Sequence, residues 1–277
     1  MLSEAKCILC TSRDTQKIII GVVDVTLCKK CDFQFIENSK KYLEEGHFDN
    51  YYAKRKANNI ENKNTLRKEQ YVIDSNVVNN YIKDGDSILD VGCSSGEFLS
   101  IISTLKNDLS CLGIDIDGSG INEANKKYGD IAEYQERNLL TLDGNQQFDL
   151  IIFRGTFQYL DNQLHESMKL LKNILKTNGK VLIFSLPSTD AFLYNLLEEK
   201  WGLFHPEMSL MFNKKSLHTI SNMHNFKIIS LSYPYLEDVY ANKEKDYDNV
   251  KNIILGLSDS SSPFWGSLMT VVISHDN

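Results

Sequence analysis

From residue 87 onward, short apolar runs alternate with segments whose apolar residues recur every three or four positions. The runs at 87–91 (SILDV), 110–115 (SCLGID), 131–135 (IAEYQ), 148–153 (FDLIIF) and 180–186 (KVLIFSL) read as strands. The spacing predicts helices over 96–105, 119–128 and 162–175 between them. Strands alternating with helices over roughly 100 residues argue for an α/β domain, a mostly parallel sheet with helices on both faces. Further on, 189–200 and 215–225 read as helices, and 201–212 (WGLFHPEMSLMF) as a loop. The runs at 226–233 and 267–274 read as an antiparallel edge pair. The stretch at 238–249 (DVYANKEKDYDN) reads as an exposed, charged linker. Upstream, residues 65–82 place Leu66, Tyr71, Val72, Val77, Val78 and Tyr81 on one helical face, with Gly85 as the expected C-cap.

Before this pattern begins, cysteine dominates. Four of the six cysteines fall in the first 31 residues, as Cys7-x2-Cys10 and Cys28-x2-Cys31 with seventeen residues between the pairs. Two intervening residues let a short turn aim two sulfurs at one ion, and the β-branched KIIIGVVDV (17–25) suits a hairpin that returns the second pair to the first. Two disulfides or four independent thiols are the other readings, and a reducing cytoplasm opposes the first. Four thiolates close a tetrahedral shell, so the zinc would be structural. Cys93 and Cys111 lack this spacing and read as core. The expected organisation is a zinc ribbon over 1–38, a helical connector that covers the ligand site over 39–85, and the α/β domain over 86–277.

Composition narrows the partners. Of 277 residues, 42% are hydrophobic and 24% charged, as in an ordinary globular protein. A net charge of −7 counts against nucleic acid, whose affinity comes from Lys and Arg on phosphates. The N-terminus MLSEAKCILC lacks the layout of a signal peptide, and no apolar run is long enough to span a bilayer, so a cytoplasmic protein with no membrane insertion is expected.

The chemistry starts at LDVGCSSG (89–96), a turn poor in side chains directly after a strand. In doubly wound sheets ligands bind at the carboxyl ends of the strands, and backbone N–H groups of such a turn can approach them. A P-loop would need Lys and Ser or Thr after Gly96, but Glu97 and Phe98 stand there. The dinucleotide fingerprint, counted from Gly92, would need glycines where Ser94 and Glu97 stand, and Glu97 would also repel a pyrophosphate. The second strand ends in Asp115, an acid placed to take two ribose hydroxyls, although it could instead cap the next helix.

With these residues in hand, the chain resembles the class I S-adenosylmethionine-dependent methyltransferases. LDVGCSSG, GID (113–115), FDLIIF and LHESMKLLKNILKTNGKVLIF (164–184) carry the resemblance in order, over roughly 85–235. The two-knuckle cysteine module resembles the subset with a zinc-binding extension, which includes sugar methyltransferases of surface-polysaccharide and deoxysugar pathways. The resemblance implies a Rossmann-like sheet and S-adenosyl-L-methionine as cofactor. It places Asp90, Gly92, Cys93 and Gly96 under the methionine and ribose, Asp115 on the ribose hydroxyls, and Ile116 beside the adenine. Asn138 and Leu139 stand at the adenine amine, with Asn138 replacing the usual acid, and Arg154 where cofactor faces acceptor. The implied acceptor is a hydroxyl of a small molecule or glycan.

Two family markers are displaced. Phe157-Gln158-Tyr159 stands where many relatives read Leu-Glu-His, and Pro206-Glu207-Met208 replaces a proline-x-histidine, with His205 adjacent. His205 is the first candidate for a general base, with Tyr159 and Glu207 as alternatives. His165, His218 and His224 lie on expected helices, and Tyr51 or Tyr52 in the connector could touch the cofactor. The rival functions are an RNA methyltransferase with a cysteine module and a scaffold that keeps the fold without catalysis.

Overall fold

The computed structural model describes residues 5–42, 61–235, 237–258 and 265–276. Its main sheet contains β4 (Ser87–Val91), β5 (Ser110–Asp115), β6 (Glu133–Glu136), β7 (Phe148–Arg154), β8 (Leu175–Pro187), β10 (Phe226–Ser232) and β11 (Leu268–His275). Their order across the sheet is β10-β11-β8-β7-β4-β5-β6. The expected α/β, Rossmann-like, mostly parallel sheet is thus present. Its antiparallel edge is the β10–β11 pair, with β11 running against both β8 and β10.

β4 pairs in parallel with β5 on one side and β7 on the other, which is why Ile88, Leu89 and Val91 make it apolar on both faces. β7 shows how the sheet divides the core. Leu150 and Ile152 face one layer with Val78, Phe98, Leu99 and Ile102, whereas Ile151 and Phe153 face the other with Met168, Leu171 and Ile220. The first layer is covered by α1 (Glu61–Asn79), α2 (Glu97–Ile102) and α3 (Gly118–Tyr128). The second is covered by α4 (Leu164–Ile174) and α6 (Lys214–Met223). On α1, Val78 is fully buried as expected, but Val72 is half exposed, and the helix ends at Asn79, before the expected C-cap Gly85.

The cysteine-rich segment forms a second sheet of four strands, β1 (Thr15–Ile20), β2 (Val23–Cys28), β3 (Gln34–Phe35) and β9 (Leu210–Met211). The fourth strand is a correction: β9 lies inside the segment read as a loop, and it pairs Gln34 with Met211 and Phe35 with Leu210. Two residues are too few to give a strand period, so the pairing was invisible to the hydrophobic pattern. Cys7, Cys28, Cys31, Phe33 and Phe35 share one continuous core with the β7 and β8 face of the main sheet. A third cluster joins the β1–β2 hairpin to α5 (Phe192–Leu197) and α7 (Lys243–Ile254).

α7 corrects a second expectation, since it occupies most of the presumed charged linker. Its apolar Val250 and Ile253 pack inward, and Asp246 is buried where it accepts from the Tyr235 hydroxyl and the Asn242 backbone. Among the described residues no helix is long and apolar enough to cross a membrane.

Candidate functional site

Gly92 and Cys93, just past β4, both donate N–H bonds to the Ile114 carbonyl at 2.8 and 3.1 Å, which clamps the turn onto the end of β5. Ser94, at φ +50°, donates its N–H to Asp115 Oδ2 at 2.8 Å. Asp115 Oδ1 accepts from the Asp117 N–H at 2.9 Å, and Asp117 itself caps α3 through Ser119. The capping alternative for Asp115 therefore falls to Asp117. Each Asp115 oxygen keeps a lone pair, and these are the two acceptors that a ribose diol requires. Burial pushes its carboxyl above the usual carboxylate range.

The glycines answer first to packing. A Cβ on Gly92 would stand 2.0 Å from Thr156 Cγ2, and one on Gly96 would stand 2.6 Å from the Tyr134 ring. Both also have φ near +80°, where L side chains are strained. Cys93 is buried, and burial raises its thiol, which agrees with its core role. Ile116 is exposed beside Asp115. Asn138 Oδ1 accepts from the Leu140 N–H at 2.9 Å and caps a short 3-10 turn, while the Leu139 side chain is committed to the core.

Asp90 is the anomalous residue of the turn. It is 2% exposed, and among the described residues its Oδ1 has no hydrogen-bond partner. Burial pushes its carboxyl up to about 7, Arg154 pulls it down, and Asp115 pushes it further up. A buried polar atom left unpaired in a native fold calls for a ligand or a water. The orphaned Asp90 oxygen and the two remaining Asp115 acceptors fit the ammonium end and the ribose of S-adenosylmethionine.

Beyond β7 lies a pocket of about 280 Å³. Arg154, Tyr159 and His205 all line it, so the structure brings together three residues chosen from sequence, but Glu207 is not in its wall. Arg154 Nε donates to Asp74 Oδ2 at 2.8 Å, and its guanidinium lies 4.5 Å over the Tyr71 ring and 5.5 Å from that of Phe98. The Arg154 side chain is thus fixed by α1 and α2 in the wall of the pocket. Sequence reasoning missed Arg67, Gln158, Ser185, Asp238 and Tyr240 in the same wall. Asp238 and Tyr240 sat in the presumed linker, and burial raises the titration of both. In the sequence Gln158 marks only a displaced family motif. It is 5% exposed, donates to the Gly155 carbonyl at 3.1 Å, and leaves Oε1 unpartnered among the described residues. Ser185 is held at φ +54° where the β8–β11 register shifts, a bulge that re-aims its side chain.

One side chain links the segment that bears Arg154 and Tyr159 to the glycine turn. Thr156, between Arg154 and Tyr159, fills the space above Gly92 and donates its hydroxyl to the Val91 carbonyl at 2.8 Å. Of the remaining histidines, His165 bonds His224 at 2.8 Å and the Ile8 carbonyl at 3.0 Å, a structural role. Tyr51 and Tyr52 lie outside the described residues.

At the other end of the second sheet, the sulfurs of Cys7, Cys10, Cys28 and Cys31 all lie within 4.8 Å of one another. Cys7 and Cys31 are 3.7 Å apart, and Cys10 and Cys28 are 3.6 Å apart. Four sulfurs placed tetrahedrally around zinc at ~2.3 Å would be ~3.8 Å apart, so the set fits that ion.

Comparison with known proteins now adds to this geometry. The signature of a family described as a methyltransferase domain matches residues 65–231, more than half of the chain. The chain belongs to this family of S-adenosylmethionine-dependent methyltransferases. It is 33% identical over 110 residues to the ribosomal protein L11 methyltransferase of Aquifex aeolicus, covering 38% of this chain and 40% of that one. It is 27% identical over 176 residues to a carboxy-S-adenosyl-L-methionine synthase of Campylobacter jejuni, covering 60% and 72%. The chain spans about half the length of the first curated relatives it matches. In structure it resembles the magnesium protoporphyrin IX methyltransferase of Synechocystis PCC 6803, solved with bound SAH, at a TM-score of 0.56 and 13% identity over 85% of this chain and 99% of the other. That likeness is one of fold. These relatives act on different kinds of acceptor, and none of them bears on the sugar specificity expected from the cysteine module.

Proposed function

We propose that this protein transfers a methyl group from S-adenosylmethionine to a hydroxyl of a sugar or nucleotide-activated sugar, in surface polysaccharide biosynthesis. One observation carries the reading: the turn 154–159, which holds Arg154 and Tyr159 at the acceptor pocket, packs through Thr156 directly onto Gly92 of the cofactor turn. Donor and acceptor sites are then neighbours across a single side chain, as a direct group transfer requires.

The bound cofactor supplies a methyl group already activated by its sulfonium, which leaves holding and proton removal to the protein. Asp115 would hold the ribose and Asp90 the ammonium end. Ile116 would border the adenine and Asn138 would meet its amine. Arg154, immobilised by Asp74 and Tyr71, would orient an acceptor oxygen. His205 would take the hydroxyl proton, with Tyr159 lining the same pocket. A pocket of about 280 Å³ suits a monosaccharide-sized group, near the lower end of the roughly 300–1,000 Å³ of small-molecule sites. The net charge of −7 supports a small acceptor over RNA. Zinc in the four-cysteine site would be structural.

The test is transfer of labelled methyl from S-adenosylmethionine to a panel of nucleotide sugars and methyl glycosides, with RNA and a protein extract alongside. Label on a sugar, reduced in the His205→Ala variant, is the expected result. Label on RNA or protein alone would replace the acceptor assignment, and binding of cofactor without transfer to any class would favour the scaffold.

A further inference from the structure

We infer that the four-cysteine module is a strut for the acceptor pocket, so that removing its metal releases the acceptor wall and leaves the cofactor turn in place. The inference rests on the zinc reading of the cysteines and is independent of which acceptor is methylated.

The path is continuous. Cys28 and Cys31 bracket a tight turn in which the Asp32 N–H donates to the Cys28 carbonyl and the Cys28 N–H to the Phe33 carbonyl. The chain then runs straight into β3. β3 holds β9 by backbone pairing, and the Ile36 N–H donates to the Ser209 carbonyl at 3.0 Å. Asn213 Nδ2 donates to the Asp32 carbonyl at 2.7 Å, and Lys215 pairs with the Asp32 carboxylate at 2.8 Å. His205 and Met208 lie directly before the first of these ties, at Ser209, and their own turn is closed by an N–H bond from Met208 to the His205 carbonyl. A second line of contact reaches the part of the wall formed by Gln158 and Tyr159. The ring centroids of Phe33 and Phe212 are 5.1 Å apart, those of Phe212 and Phe157 5.4 Å, and those of Phe157 and Phe153 5.3 Å. Phe157 begins the 3-10 turn that bears Gln158 and Tyr159. His205 and Tyr159, the two candidate bases in the pocket wall, therefore stand on segments braced by the cysteine module.

The cofactor turn has other supports. Leu89, Val91 and Ile114 face the core that the cysteine module shares, but Cys93, Phe98, Leu99, Ile121, Ala124 and Tyr134 pack in the layer on the far face of the sheet, and among the described residues none of the cysteine module belongs to that cluster. A short module without its metal loses the free energy that folds it. β9 is only two residues long and cannot keep its geometry without β3. Local opening should then be confined to the braced segments.

Hydrogen exchange read by mass spectrometry tests this on the full chain, as purified, after chelation, and after zinc is restored, with metal content measured in each state. The expected result is one zinc per chain and, on chelation, exchange at least about tenfold faster across 204–212 and 157–160, with 88–102 and 111–124 unchanged and recovery on reloading. Affinity for S-adenosylhomocysteine, measured in parallel, should be the same with and without zinc. Uniform acceleration across the chain, unchanged exchange at 204–212, or a protected 204–212 in a chain that holds no metal would each overturn the inference. Cofactor titration separately reports the methyl-transfer reading, so the two can fail apart. Should the chelated protein aggregate, Asn213→Asp keeps the oxygen that accepts from the Ser216 N–H and caps α6, but removes the Nδ2 donor to the Asp32 carbonyl, with zinc in place. Faster exchange at 204–212 in that variant supports the strut, and unchanged exchange refutes it.

Discussion

Asp90→Asn should stabilise the protein and cripple its cofactor site. In the folded chain burial carries the Asp90 carboxyl from its ordinary 3.8 up to about 7. An acid whose folded pKa lies above its unfolded value favours the folded state while protonated. That advantage is complete below about 4 and is lost as pH rises to about 7. At about 1.4 kcal/mol per tenfold change, the full loss is about 4 kcal/mol, of which ~2 should survive as a gain in the variant, because the asparagine amide also lacks partners. Urea denaturation of wild type and variant at pH 5 and pH 8, without cofactor, measures the difference. The wild type should weaken between the two values. The variant should not, and it should be the more stable protein at pH 8. Cofactor affinity should move the other way, rising with pH to a plateau above about 7 in the wild type and falling at least about tenfold in the variant, since a charged hydrogen-bond partner is lost. A variant no more stable at pH 8, or one that keeps the wild-type pH dependence, would refute the view that Asp90 is a buried, unpaired acid kept for a ligand.

Other outcomes follow from the same geometry. Gly92→Ala forces a Cβ to 2.0 Å from Thr156 at a φ of +80° and should cost at least about 2 kcal/mol in denaturation, with a matching loss of cofactor affinity; full stability would mean that the turn is looser than described. His205→Ala should lower kcat by about 10²–10⁴ and abolish the acid limb of the pH–rate profile. If Tyr159→Phe does this instead, the base has been misassigned. Gln158→Met removes an unpartnered buried oxygen at similar volume, so its melting temperature should hold or rise while kcat/KM for the hydroxyl acceptor falls; a fall in stability with intact turnover would show a purely structural residue.

Much of this was written in the chain because the relevant signals are local. Strand and helix periods extend over five or more residues, so β4, β5, β7, β8 and the helices between them were legible. The cysteine spacing announced a cluster whose sulfurs do converge. Asp115 was legible because a strand end fixes its position. Close approach of a ligand accounts for the glycines only in part, since the crowding by Thr156 and Tyr134 comes from residues 64 and 38 positions away. Long-range features were silent for the same reason. Nothing near Leu210 says that it will pair with Phe35, and nothing in the acidic, lysine-rich 238–249 says that Asp238 and Tyr240 will wall a pocket whose other members lie between 67 and 208 and at 268. α7 hid behind its charges because only Val250, Ile253 and the hydrogen-bonded Asp246 turn inward.

The central claim is that the β4 turn and Asp115 hold S-adenosylmethionine. Calorimetric titration of the zinc-loaded protein with S-adenosylhomocysteine tests it most directly, with Asp115→Ala as the paired variant. The account predicts micromolar binding at one site per chain, lost in the variant while its melting curve stays cooperative. No binding by the wild type, or equal binding by Asp115→Ala, would contradict it.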